Sequence, residues 1–211
     1  NTYATEIGLN FLSAVYGPPD RYFYALAGAP YFNLGEEQTK TSLSTDQVLA
    51  AMDKSIDRLA ETNRLEKNHA LATWHGLPFI AYEGGSDTFG PGSLDSKKAA
   101  NLDPRMEAVC RRYLASWYQM GGGLFMWFNA GAGNWDTQYG AWELTTDLGL
   151  TDTPKIRCMD QTLAAGRPTL QGRNTVPGQF EALDYAGNFA PYTDAAKTTV
   201  RHLRPGNALD Y

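Results

Sequence analysis

Three short apolar runs, each set between stretches of helical periodicity, constrain this chain more than any other feature of its sequence. They are Tyr22-Phe23-Tyr24-Ala25-Leu26-Ala27, Leu77-Pro78-Phe79-Ile80-Ala81-Tyr82 and Leu124-Phe125-Met126-Trp127-Phe128. Runs of this length without polar alternation fit strands buried on both faces. Between them, apolar residues recur at every third or fourth position. Ile7, Phe11, Leu12 and Val15 do so from Thr5 to Tyr16, and Val48, Met52, Ile56 and Leu59 do so after a Ser44 or Thr45 cap, continuing less clearly to Trp74. Met106, Val109, Cys110, Tyr113, Leu114 and Trp117 form the stripe of a third helix, with Asp103 as N-cap, Pro104 at the first helical position and Gly121 as stop. A last helix is expected from Thr153-Pro154 to Ala165. The order αβαβαβα predicts an α/β fold with a parallel sheet and helical crossovers.

Three strands do not close a barrel. The expectation is either a small open sheet or the last units of a (β/α)8 barrel, strands six to eight, whose first half lies elsewhere. The long stretches after the second and third strands favour the barrel, because barrel active sites are built from loops at the C-terminal ends of the strands. Helical periodicity stops at Arg167-Pro168, giving a predicted boundary between a barrel-derived part, residues 1–166, and a linker with a β-rich segment, residues 167–211.

Composition narrows the partners. With 43% hydrophobic residues in 211, the chain can bury a core. Its net charge of −5 and the absence of any Lys/Arg cluster argue against nucleic acid and anionic membrane. The longest apolar run, around Gly123 to Phe128, is too short to span a bilayer. Five Trp and twelve Tyr offer flat amphipathic rings that suit both core packing and the face of a sugar. The two cysteines, Cys110 and Cys158, exclude a disulfide scaffold and a four-cysteine zinc site, and their pairing depends on whether neighbouring helices present them together. His69, His75 and His202 form no metal-ligand motif, so no metal or other cofactor is expected. No Gly-x-Ser-x-Gly elbow occurs, and Gly121-Gly122-Gly123 leads into a strand rather than onto a phosphate-binding helix.

Glu83 is the sharpest candidate. It follows an apolar strand directly, stands beside Tyr82 and precedes Gly84 and Gly85, which permit close approach of backbone and ligand. Glycoside cleavage needs one carboxyl group to attack the anomeric carbon or activate water and a second to protonate the leaving oxygen. Glu83 suits the first role, with the Tyr82 phenol as a donor that would orient it. A plain turn-capping role is the alternative. Asp87, Asp95, Asp136 and Glu143 also lie after candidate strands, where solvated or turn-forming roles are the ordinary ones.

Ile80-Ala81-Tyr82-Glu83-Gly84-Gly85 resembles the superfamily of retaining barrel glycosidases whose nucleophile is a Glu at the end of the seventh strand. In that resemblance Tyr24 to Tyr31 corresponds to strand six and Gly123 to Asn129 to strand eight, covering residues 1 to about 165. It implies a secreted or cell-surface hydrolase of an oligo- or polysaccharide, with Trp127 as a floor for the sugar beside the cleaved bond. Core packing is the competing role for Trp127. Tyr31, Asn33, Asn129, Asn134 and Trp135 are further candidates for the cleft. The family's acid/base is an Asn-Glu pair after strand four, and no Asn-Glu dipeptide occurs here. The remainder of the barrel, from upstream sequence or another chain, would have to supply it. The stretch Thr175 to Tyr185 resembles the opening strand of a carbohydrate-binding β-sandwich. A second expectation is a noncatalytic carbohydrate-binding or surface-assembly protein that keeps the barrel-derived scaffold.

Overall fold

The computed structural model describes residues 2–62, 64–131 and 133–166. The expected β-rich segment, Thr175 to Tyr185 included, lies outside the described residues. The elements run α1 (Thr2–Tyr16), β1 (Leu26–Gly28), β2 (Tyr31–Asn33), α2 (Thr45–Glu61), α3 (Arg64–Trp74), β3 (Phe79–Ala81), β4 (Gly85–Asp87), α4 (Leu94–Leu102), α5 (Arg105–Gln119) and α6 (Pro154–Ala165). The fold is α/β. β1 pairs with β3 and β2 with β4, both in parallel. Residues 123–128 lie along the other side of β3, joined by a parallel bridge between Ala81 and Phe125. Their ladder continues through Gly123 N–H to Phe79 O, Met126 N–H to Ala81 O and Phe128 N–H to Gly84 O. The three segments therefore stand side by side in chain order. The described residues close no barrel.

Local chemistry accounts for the helices. Ser44 and Gln47 form a reciprocal capping box at the start of α2. Thr153 accepts the Ile156 N–H ahead of Pro154 at the start of α6. Asp103 accepts the Arg105 N–H at the start of α5. Phe32, Met52, Ile56, Leu71, Phe79, Met106, Tyr113 and Trp117 fill the core between sheet and helices.

Three expectations need correction. The first apolar run is not a continuous buried strand. Tyr22, Phe23 and Tyr24 are exposed, and Pro30, which has no N–H to give a ladder, separates β1 from β2. The long helix to Trp74 is two helices, because Thr62 ends α2 on its own hydroxyl, which donates to the Arg58 carbonyl. The loop expected after Glu83 contains the strand β4 and the helix α4. The helix α1 forms where its periodicity predicts, with Leu9 and Leu12 against the core and the rest of its stripe exposed.

In α1, Ile7, Phe11 and Val15 are 51%, 57% and 55% exposed, whereas Glu6 and Ser13 are buried. Ser13 Oγ meets His75 Nδ1 at 3.2 Å, and the buried Glu6 Oε2 has no hydrogen-bond partner. Burial pushes the Glu6 pKa up to about 7 and the His75 pKa down to about 4. Because the folded Glu6 value lies above its ordinary 4.5, its contribution to stability is fully present below pH 4.5 and is lost as pH rises through about 7. His75 acts oppositely: its contribution is present above its ordinary 6.5 and is lost as pH falls through about 4. Glu6→Gln is expected to raise the melting temperature by a few degrees at pH 8 and to leave it unchanged near pH 4.5. Calorimetry at the two pH values checks this, and equal melting temperatures at pH 8 would refute it.

Candidate functional site

Glu83 stands where the sheet changes register. Leu26 faces Phe79 and Gly28 faces Ala81, but Tyr31 faces Gly85 rather than Gly84. One more residue is therefore accommodated between β3 and β4 than between β1 and β2. Tyr82, Glu83 and Gly84 bulge opposite Ala29 and Pro30. A bulge of this kind interrupts the alternation of side chains and re-aims the extra residue. It is tied down by Tyr82 N–H donating to Gly28 O, Gly85 N–H to Pro30 O and Tyr113 Oη–H to the same Pro30 carbonyl at 2.6 Å.

The two glycines are required by protein neighbours. A Cβ on Gly84 would lie 2.4 Å from the Pro30 carbonyl oxygen and 2.8 Å from the Phe125 ring. On Gly85, at φ +129°, it would lie 2.6 Å from the Trp127 indole. The close approach expected at these glycines is made here by the Pro30 backbone and by the Phe125 and Trp127 rings.

Tyr31, not Tyr82, is the phenol coupled to Glu83. Tyr82 is 54% exposed. Tyr31 is half-buried, and burial, the Glu83 charge and a hydrogen bond to Glu83 all push its pKa upward, with Asp87 and Tyr82 adding to the shift. Tyr31 thus stays protonated as a donor through neutral and moderately alkaline pH.

The other predicted residues separate. Trp127 is half-buried, edge-on to Phe32, packed on Gly85, and donates its indole N–H to the Trp142 carbonyl at 2.8 Å. Asn33 is occupied in a turn: its Oδ1 accepts the Gly35 N–H, and its own N–H goes to Ser55. Asn129 is exposed in a left-handed conformation, φ +68°. Asn134 is exposed, its Oδ1 accepting the Asp136 N–H. Trp135 does not line a cleft. It is buried, donates to Glu143 Oε2 at 2.8 Å and carries the Lys155 ammonium nitrogen 4.3 Å from its ring centroid.

The site contains residues that sequence reasoning missed. Trp142, half-buried, packs edge-on against Phe128 at 5.4 Å and donates its indole N–H to Asp87 Oδ1 at 2.9 Å. Phe128 in turn meets the Tyr31 ring edge-on at 6.4 Å. Tyr31, Glu83, Asp87, Trp127, Phe128 and Trp142 thus form one aromatic and acidic group at the C-terminal ends of the strands. Lys97 and Lys155 are buried below it. Lys97 donates to the Gly90 carbonyl, and burial pulls its pKa down against the pull of Asp87. Lys155 donates to Ser86 Oγ at 3.0 Å and to the Ala141 carbonyl at 2.7 Å. No spacing in the sequence marks these lysines, since surface and buried lysines look alike in a helix.

The other candidate acids have their own settings. Asp87 Oδ1 accepts from Phe89 N–H as well as Trp142, Asp136 pairs with Lys98, Glu143 is buried against Trp135, and Asp95 is exposed in the first turn of α4. Among the described residues no cluster of three or more His, Cys, Asp or Glu could hold a metal ion, and no helix is long and apolar enough to cross a membrane. An apolar cavity of about 430 Å³ lies between the sheet and α6, lined among others by Tyr24, Pro78, Ile80, Leu124, Met159 and Leu163. Glu83 is not among its lining residues. Comparison with family models, curated proteins and solved structures returned no match.

Proposed function

We propose that this chain carries the nucleophile side of a retaining glycoside hydrolase, with Glu83 attacking the anomeric carbon of an oligo- or polysaccharide. The observation behind this reading is the Glu83 carboxylate on a register bulge at the C-terminal ends of parallel strands, held by the Tyr31 phenol and flanked by Trp127, Phe128 and Trp142. Catalytic groups of parallel barrels occupy that end. Strands adjacent in chain order suit strands six to eight of such a barrel, and the outer edges of β1 and of residues 123–128 pair with nothing among the described residues. In this reading further strands complete the barrel and bring the acid/base, and the protein acts outside the cell or on its surface.

The reaction proposed is double displacement. A Glu83 oxygen bonds to C1 as the C1–O bond to the leaving group breaks, and water later displaces Glu83. A 2-deoxy-2-fluoro glycoside with a dinitrophenolate leaving group tests the first step directly, because that leaving group departs without a proton and dispenses with the acid/base. A panel of gluco, manno, galacto and xylo reagents should give one that adds a fluoroglycosyl group to the peptide containing Glu83. Absence of labelling by every member, with the completing strands present, would remove the catalytic reading.

Tyr31→Phe is expected to lower the labelling rate roughly ten- to hundredfold by freeing the carboxylate from its orienting donor. Stopped reactions read by mass spectrometry check this, and an unchanged rate would assign Tyr31 to packing alone.

The commitments of Asp87, Asp136 and Glu143 to other partners favour a second reading, a noncatalytic carbohydrate-binding protein on the same scaffold. Glycan binding without labelling at Glu83 would select it.

A further inference from the structure

The described structure contains a chemical site that the proposed hydrolysis does not use, at the interface of α5 and α6. Cys110 on α5 and Cys158 on α6 are both fully buried. The two helices pack along each other, and Cys158 is a near neighbour of Cys110, one of the groups that perturb its thiol. Arg157, beside Cys158, anchors the same interface through Glu107 at 2.9 Å. Two cysteines roughly fifty residues apart are thus brought into one buried interface, a loop size for which cross-linking removes substantial chain entropy from the unfolded state.

We propose that Cys110 and Cys158 form an intramolecular disulfide when the chain folds under oxidising conditions, fastening α6 to α5. Two S–H bonds are lost and one Sγ–Sγ bond forms. The two electrons and two protons pass to a disulfide oxidant of the glutathione or protein-disulfide class, whose own S–S bond is cleaved to two thiols. Burial raises the Cys110 thiol well above its ordinary range, against a smaller opposing influence of Lys155, so the thiolate needed for exchange is scarce once the core has closed. The cross-link therefore forms during folding, and the folded dithiol protein is inert.

The consequence reaches the candidate site. Lys155, one turn before Cys158, ties α6 to Ser86 of β4 and to the Ala141 carbonyl. A fixed α6 fixes the floor beneath the bulge that carries Glu83.

The test uses the full chain, unfolded in reductant and refolded in a glutathione redox buffer, then quenched in acid and alkylated in denaturant. The expected product is monomeric, carries no alkyl adduct, has a mass about 2 Da below the reduced chain and yields a linked Cys110–Cys158 peptide. Its melting temperature should fall by roughly 5–10 °C on reduction. The Cys110→Ala/Cys158→Ala double variant, refolded identically, should show no response to reductant. Two alkylated cysteines after refolding, or a cross-link only between chains, would overturn the proposal. So would an intramolecular bond that leaves the melting temperature unchanged, since the helices would then not hold the cysteines in disulfide geometry.

Discussion

Glu83→Gln is expected to abolish fluoroglycosyl labelling and to lower turnover of a dinitrophenyl glycoside by on the order of 10⁴-fold or more in the barrel-complete protein, the scale seen when a nucleophile is removed from a preorganised site. The amide keeps the shape and the hydrogen-bonding reach of the carboxylate but has no anionic oxygen to bond to C1. The fold should tolerate the change, because the Glu83 side chain is half-exposed and the bulge is held by backbone contacts and by Tyr113. Melting temperature and labelling measured on the same preparation therefore separate chemistry from unfolding. Glu83→Ala with added azide sharpens the result: a small anion in the vacated space should restore turnover and give a glycosyl azide of opposite anomeric configuration. Retention of labelling in Glu83→Gln would place the nucleophile elsewhere and discard the proposed mechanism.

Lys155→Ala should destabilise the protein by about 3–5 kcal/mol, since it leaves a cavity, deprives Ser86 Oγ of its donor and removes the cation beside Glu143. Lys155→Met fills the volume and should recover part of that loss. The pH dependence carries the stronger test. Burial lowers the Lys155 pKa from 10.5 to about 7, with Cys110 and Glu143 opposing the shift. Between those values the unfolded chain binds a proton that the folded protein does not, so stability from this group rises with pH across the window and is flat below about 7. The difference between wild type and Lys155→Met should accordingly grow by a few kcal/mol, as an order of magnitude, from pH 7 to pH 9.5. Urea denaturation of both proteins at the two pH values reads this difference, in which titrations common to both cancel. A difference that stays constant or shrinks would mean that Lys155 remains charged in the fold.

Much of the secondary structure was legible. Cap residues and the stripes of α2, α5 and α6 act locally, within one or two turns, so the chain alone locates those helices. The strands were legible as apolar runs but not in extent. Nothing in Tyr22-Phe23-Tyr24 says whether neighbours cover both faces, and the polar tips of Tyr22 and Tyr24 tolerate the exposed positions they occupy. The stripe of α1 was legible as a helix, but periodicity fixes which residues share a face and not which way that face turns: Leu12 packs on the core while Ile7, Phe11 and Val15 lie exposed.

The candidate site divides in the same way. The sequence by itself determined that a carboxylate follows an apolar strand and precedes two glycines, because strand patterning and glycine are local signals. Tertiary structure decided what surrounds that carboxylate. The register offset between Tyr31 and Gly85 made Tyr31 the coupled phenol in place of Tyr82. The buried Lys155 and Glu143 drew Trp135 into the interior and left Trp142 at the cleft. Partners outside one local stretch are chosen by packing and by the cost of burying unpaired polar groups, and neither quantity is written in any short stretch of chain.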